Sequence, residues 1–157
     1  EWYYPNYTND MWRIFGLAFF EDKMHFIDEA NKTYKLQELK QFLKEKGVAI
    51  FDTALRIRRT TGTASDKDLE IVEPADLDKM LPECKSILAA GQLATKVFTE
   101  HYNIDARKMK MGEYRTFSFE GRTLKLYREP SSSRAYPMRV EEKATYYKQM
   151  FKETHIF

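Results

Sequence analysis

Helical and strand-like segments alternate along most of this chain, which predicts an α/β fold, expected as a three-layer α/β/α domain around a mainly parallel sheet of about four strands. Three observations predict it. GVAIFDTAL (47–55) is a short, nearly continuous apolar run, as expected of a strand buried on both faces of a parallel sheet. ILAAGQLATKVF (87–98) reads as a strand, a glycine turn and a helix. TFSFEGRTLKLY (116–127) alternates about a Glu120-Gly121 turn, which predicts a hairpin with Leu124 and Leu126 inward.

The other elements follow in order. Met11 to Phe20 is apolar and aromatic, a buried helix ending near Glu21 and Asp22. In LQELKQFLKEKG (36–47), Leu36, Leu39, Phe42 and Leu43 share one helical stripe, and Gly47 stands where a helix end favours a left-handed residue. Asp52 then falls at the C-terminal end of the first strand, and the polar stretch from Arg58 to Asp68 reads as a long loop. A short helix is expected from about Asp76 to Pro82, and a strand from Ser86 to Ala90. Val140, Ala144, Tyr147 and Phe151 line one face of a closing helix. In a sheet of this kind ligands bind beyond the carboxyl ends of the strands, so the segments after Asp52, Gly91 and Tyr127 are expected to open on one edge.

Composition bounds the function. A chain of 157 residues is long enough to bury about two-thirds of its unfolded surface as one domain. The single cysteine, Cys84, excludes an internal disulfide, a thiolate zinc site and a cysteine-ligated iron–sulfur cluster. It fits a reducing, intracellular compartment, with the cytoplasm expected. No stretch approaches the roughly 20 apolar residues that span a bilayer, so no membrane association is expected. His25, His101 and His155 lack ligand spacing, and no metal is expected. The chain starts at Glu1 with four aromatics among its first ten residues, and upstream residues are expected to be missing.

Net charge is only +2, so distribution matters more than total. Between Ala106 and Arg128 lie Arg107, Lys108, Lys110, Arg115, Arg122, Lys125 and Arg128 against Glu113 and Glu120, and Arg56, Arg58 and Arg59 form a second cluster. These make either a nucleic-acid-binding face or an ordinary solvated one. No G-x-G-x-x-G or Walker-type loop is present, which argues against a generic nucleotide-binding domain.

Three segments, in order, resemble the uracil-DNA glycosylase superfamily, nearest to its hypoxanthine-type and mismatch-type branches. YYPNYTNDMWRIFG (3–16) is similar to the family's aromatic pair followed by a catalytic Asn and a Trp, with Asn9 on the Asn. The segment 47–77 resembles its strand, acidic turn and polar loop, and REPSSSRAYP (128–137) its Pro-Ser-rich motif, which holds DNA phosphates. The resemblance covers nearly all of the chain. It implies a monomeric, monofunctional DNA glycosylase without cofactor, which rotates a base such as uracil or hypoxanthine out of DNA and hydrolyses its N-glycosidic bond.

The residue types suit that chemistry. Negative charge moves onto the departing base while the sugar becomes oxocarbenium-like, so a water must be oriented and donors must meet the charge. Asn9 offers an acceptor and a donor for the water, and it equally suits a helix N-cap. Asp52 is either catalytic or a turn cap. Tyr3 and Tyr4 either stack on the extruded base or pack in the core. Pro130, Ser131, Ser132 and Ser133 would grip phosphates, and Arg134, Tyr136 or Met138 would fill the gap in the stack. Gly91 and Gln92 either make a tight turn or bind phosphate at the following helix start. No lysine lies in the matched motifs to form a Schiff base. The family's small-residue, proline-containing loop has no counterpart before Tyr3, and Arg134 stands where the closest branch tends to have proline.

Overall fold

A computed structural model describes residues 3–50, 54–59, 69–74, 78, 81 and 84–156. The described elements begin with α1 (Met11–Phe20), β1 (Ile27–Asp28), β2 (Thr33–Tyr34), α2 (Leu36–Lys46), β3 (Ala54–Arg59) and β4 (Leu69–Pro74). They continue with β5 (Ser86–Ala90), α3 (Gln92–His101), β6 (Tyr114–Phe119), β7 (Arg122–Glu129) and α4 (Val140–Glu153). The fold is mixed α/β. By contacts the chain forms two compact units: Glu1–Ile50 with Ser132–Phe157, and Phe51–Ser131.

In the first unit, three helices share an aromatic core. Trp12, Ile14 and Phe15 of α1 are buried, as are Leu39, Phe42 and Leu43 of α2 and Ala144, Tyr147 and Phe151 of α4. Phe19 stacks on Phe151 with centroids 4.9 Å apart and meets Phe42 edge-on at 4.8 Å, so it joins all three helices. The stripes read on α2 and α4 are the ones buried, except that Leu36 at the start of α2 is exposed and Val140 at the start of α4 is only half-buried. α2 closes as expected, with Gly47 left-handed and the Gly47 and Val48 amides donating to Lys44 and Leu43 carbonyls. β1 and β2 form a short antiparallel pair.

The second unit contains a three-stranded sheet in the order β5-β7-β6, with α3 packed on it. β5 and β7 run parallel and β6 and β7 antiparallel, so the sheet is mixed and one strand smaller than expected. Its core is Leu81, Ile87, Ala89, Phe98, Phe117, Leu124 and Leu126, with both hairpin leucines inward as read from the alternation. A two-residue turn can join strands only antiparallel, which is why the Glu120-Gly121 hairpin makes the sheet mixed. Both turn residues have positive φ, 50° and 78°, as the primed hairpin turns require.

The first predicted strand is displaced. β3 begins at Ala54 and pairs antiparallel with β4, with register irregularities between Ala54 and Ile57. The reason lies upstream, where the Val48 amide is used to close α2 and the chain enters the ribbon late. The loop read from Arg58 to Asp68 therefore starts no earlier than residue 60, beyond which those residues lie outside the described ones. Asp52, and most of the helix expected from Asp76 to Pro82, also fall outside them.

Two outcomes follow. Gly121→Ala meets no atom within 4 Å and acts through φ alone, so it should lower stability to urea by about 1 kcal/mol. Glu120→Asn should raise it by a few tenths or more, because Asn tolerates the left-handed region. The Cys84 thiol donates to the Ser86 carbonyl at 3.0 Å, and burial pushes its pKa up. Native Cys84 should accordingly react with iodoacetamide more slowly at pH 8 than the urea-unfolded chain.

Candidate functional site

In the first unit the chain enters α1 through a tight turn. The Asn9 side-chain carbonyl accepts the Met11 amide at 2.8 Å, an Asx turn one residue ahead of the helix, whose N-cap is Asp10 and not Asn9. The Asn9 NH2 group makes no hydrogen bond among the described residues. The Asp10 amide donates to the Ser132 carbonyl at 2.9 Å, which ties the start of α1 to the serine run from the far end of the sequence.

Next to that contact lies a trio of charges, two of them buried. Asp10 is 2 % exposed and Lys143, on α4, is 0 % exposed. The Lys143 ammonium donates to Asp10 Oδ2 at 2.9 Å and to the Ser133 carbonyl at 2.8 Å, while Arg134 Nε donates to Asp10 Oδ1 at 2.9 Å. The ammonium also stands 5.8 Å from the Tyr136 ring. One carboxylate thus holds two cations, and through them the loop from Ser132 to Arg134. Ser132 is buried, Ser133 half-buried and Arg134 exposed. The Ser133 hydroxyl accepts the Ala135 amide at 3.2 Å, so it shapes its own turn.

Beside the trio is an open groove of about 500 Å³, whose lining includes Tyr7, Asp10, Arg13, Arg134, Met138 and Arg139. Arg13 stacks on the Tyr7 ring at 4.8 Å and donates to the Tyr7 carbonyl at 2.6 Å and the Asn9 carbonyl at 3.1 Å. The Tyr34 hydroxyl donates to the Asn6 carbonyl; burial pushes its phenol upward against the pull of the Arg13 charge. Tyr3 and Tyr4 are half-buried, and Tyr4 presents its ring edge-on to Trp12 at 5.9 Å, a core contact.

In the second unit, Ala90 and Glu129 are register partners at the C-terminal ends of the parallel pair. The Gly91 amide donates to the Glu129 carbonyl at 2.8 Å, so the turn into α3 and the segment into Pro130 and Ser131 leave the sheet at one edge; of the three segments expected there, the one after Asp52 starts outside the described residues, and β3 belongs to another sheet. Gly91 has φ 103° and ψ 170°, a conformation that a side chain rarely adopts. Gln92 is exposed at the helix start, whereas Ser131 is buried.

The basic run of this unit is largely occupied with its own loops. Arg122 donates to the Cys84 and Leu81 carbonyls at 2.7 and 2.6 Å, Arg128 to the Met109 carbonyl at 2.6 Å, and Arg107 grips Asp105 through two nitrogens at 3.0 and 2.8 Å. That grip holds the Asp105 carboxyl well below the usual range.

Sequence reasoning missed Asp10, Arg13 and Lys143. Lys143 had a signal, since it lies three residues after Val140 and four before Tyr147, on the stripe read as apolar. Among the described residues no group of His, Cys, Asp and Glu is placed to hold a metal, and no helix is long and apolar enough to cross a membrane. No family model matches the chain, and neither a curated protein nor a solved structure matches it.

Removing one partner of a buried ion pair leaves an uncompensated charge, so Asp10→Ala should cost about 3–5 kcal/mol in urea unfolding. Lys143→Met should cost less, because Arg134 still pairs with Asp10. The double variant Asp10→Ala/Lys143→Met should recover about 0.5–3 kcal/mol relative to the sum, and strict additivity would show that the trio is not energetically coupled.

Proposed function

We propose that the chain is a monofunctional DNA glycosylase of the uracil-DNA glycosylase type, which flips a damaged or mispaired base from DNA and hydrolyses its N-glycosidic bond. The observation that supports this reading most is the hydrogen bond from Asp10 to Ser132, because it brings the Asn9 turn and the serine-rich loop together within one unit. The two segments carry the motif resemblance and lie more than 100 residues apart in sequence.

In this reading Ser133 and Arg134 present the contact surface of the loop to the DNA backbone, with Pro130, Ser131 and Ser132 as its buried support. Phosphate contacts offset the few kcal/mol needed to extract a nucleotide. The free NH2 end of Asn9 meets a water or the base, while its carbonyl holds the turn. Within the first unit Tyr3 stacks on the extruded base, and in the second unit Gly91 and Gln92 offer a phosphate contact of their own at the start of α3. Lys143 is fully buried and committed to Asp10 and Ser133, which supports hydrolysis without a Schiff base. The finer fold that belongs with the reading is the three-layer sandwich, working as an intracellular monomer on DNA.

A second reading has one observation in its favour. With the Asn9 carbonyl engaged by Met11, the same surface can bind nucleic acid without catalysing anything. Product distinguishes the two. Duplexes containing uracil, hypoxanthine or a mispaired base, treated with alkali after incubation, should show abasic sites for at least one lesion. Asn9→Ala should slow that excision by about 10²–10³-fold. Binding with no abasic product from any duplex would leave only the silent module, and undiminished rate in Asn9→Ala would remove Asn9 from the chemistry.

A further inference from the structure

Arg13 carries a charge that makes no ion pair among the described residues. It is only 9 % exposed, yet its partners among the described residues are all neutral: two carbonyls, the Tyr7 ring and the Tyr34 hydroxyl. A guanidinium stays protonated in proteins, and buried charges are as a rule paired. The buried carboxylate in the same unit, Asp10, is already shared between Lys143 and Arg134, so that trio adds a further net positive charge.

Both surpluses border the groove. Its volume of about 500 Å³ lies in the range of small-ligand sites. Arg134 is held by Nε alone, leaving its two terminal nitrogens without a hydrogen bond among the described residues. That planar fork matches two oxygens of a phosphate. Arg139 is exposed on the same lining and makes no ion pair among the described residues. Besides Asp10, the carboxylates of the lining are Glu29 and Glu141, which belong to exposed residues, and Glu141 stands 3.7 Å from Lys23.

We propose that this groove is an anion site for a phosphate group, with Arg13 as the buried counter-charge and Arg134 as the fork that grips it. The phosphate is a phosphodiester of the bound DNA strand, met by Arg134 from the serine-rich loop and by Arg13 from α1; this source rests on the DNA reading above. Asp10 acts as a positioning residue, since it fixes the guanidinium of Arg134 through Nε and leaves the other nitrogens to the ligand.

The test uses the full chain and a fluorescently labelled duplex, with affinity measured across a salt series. Arg13→Gln and Arg134→Gln should each weaken binding for every duplex sequence and reduce the slope of log affinity against log salt by about 0.9, the value for one neutralised phosphate. Arg134→Lys should keep the slope and bind more weakly, because an ammonium lacks the fork. In parallel, inorganic phosphate should raise the thermal midpoint of the wild type above that in sodium chloride of equal ionic strength, and should fail to do so for Arg13→Gln.

Unchanged affinity and slope in a folded Arg13→Gln protein, checked by near-ultraviolet circular dichroism, would overturn the proposal even if lesions are still excised. Arg13-dependent DNA binding with no excision would keep the groove and remove the glycosylase reading. Stabilisation by phosphate without DNA binding would keep the anion site and overturn the strand as its source. Should Arg13→Gln fail to fold, Arg134→Gln and Arg139→Gln replace exposed side chains, and an unaltered slope in both would reject the site.

Discussion

The Asp10 carboxylate is the interaction on which the rest of the first unit depends. It is nearly sealed from water and accepts from a fully buried lysine and from an exposed arginine. Without it, Lys143 would be a bare charge on the core-facing stripe of α4. With it, α4 has one workable rotation, because any other would turn the ammonium away from both Asp10 and the Ser133 carbonyl. Buried ionic groups of this kind are often no more stabilising than well-packed apolar residues of equal volume. What this one supplies is direction: it points a loop carbonyl inward and a guanidinium outward.

Arginine is used in two ways in the molecule. Arg122 and Arg128 satisfy carbonyls in the loops of the second unit, so their charge serves local architecture. Arg134 is held by one nitrogen and lines a groove, while Arg13 lines the same groove among neutral hydrogen-bond partners. Counting basic residues along the chain cannot separate these uses, since the difference lies in which oxygens the fold brings to each guanidinium. The run from Arg107 to Arg128 is the densest in the sequence, and the anion-site proposal rests on two arginines outside it.

Much of the fold was legible because its signals are local. α1, α2, β5 with α3, the β6–β7 hairpin and α4 each declare themselves through periodicity or turn chemistry within about a dozen residues. β3 was misplaced because its start depends on how α2 terminates and on pairing with a strand ten residues beyond its own end. The site was legible only in part. The order of motifs led to Asn9 and the serine run, and Asn9 in the event forms an Asx turn ahead of α1. Arg13 sits within a stretch of α1, Met11 to Gly16, that is buried on all sides, so amphipathic patterning gave no hint of it. Lys143 stood in plain view on an apolar stripe, and a cation at such a position calls for a buried anion somewhere in the chain.

The first unit is built from the two ends of the described chain, with the second unit contiguous between them. Asp10 and Lys143 are separated by 133 positions. At ribosomal speeds of about 5–20 residues per second, the carboxylate therefore waits on the order of ten seconds for its lysine to be made. During that interval α1 and α2 have no α4 to cover their aromatic faces, whereas the intervening segment is completed before α4 begins. Such a chain has a built-in order of assembly, and its earliest-made helices are the ones most in need of a chaperone's shelter.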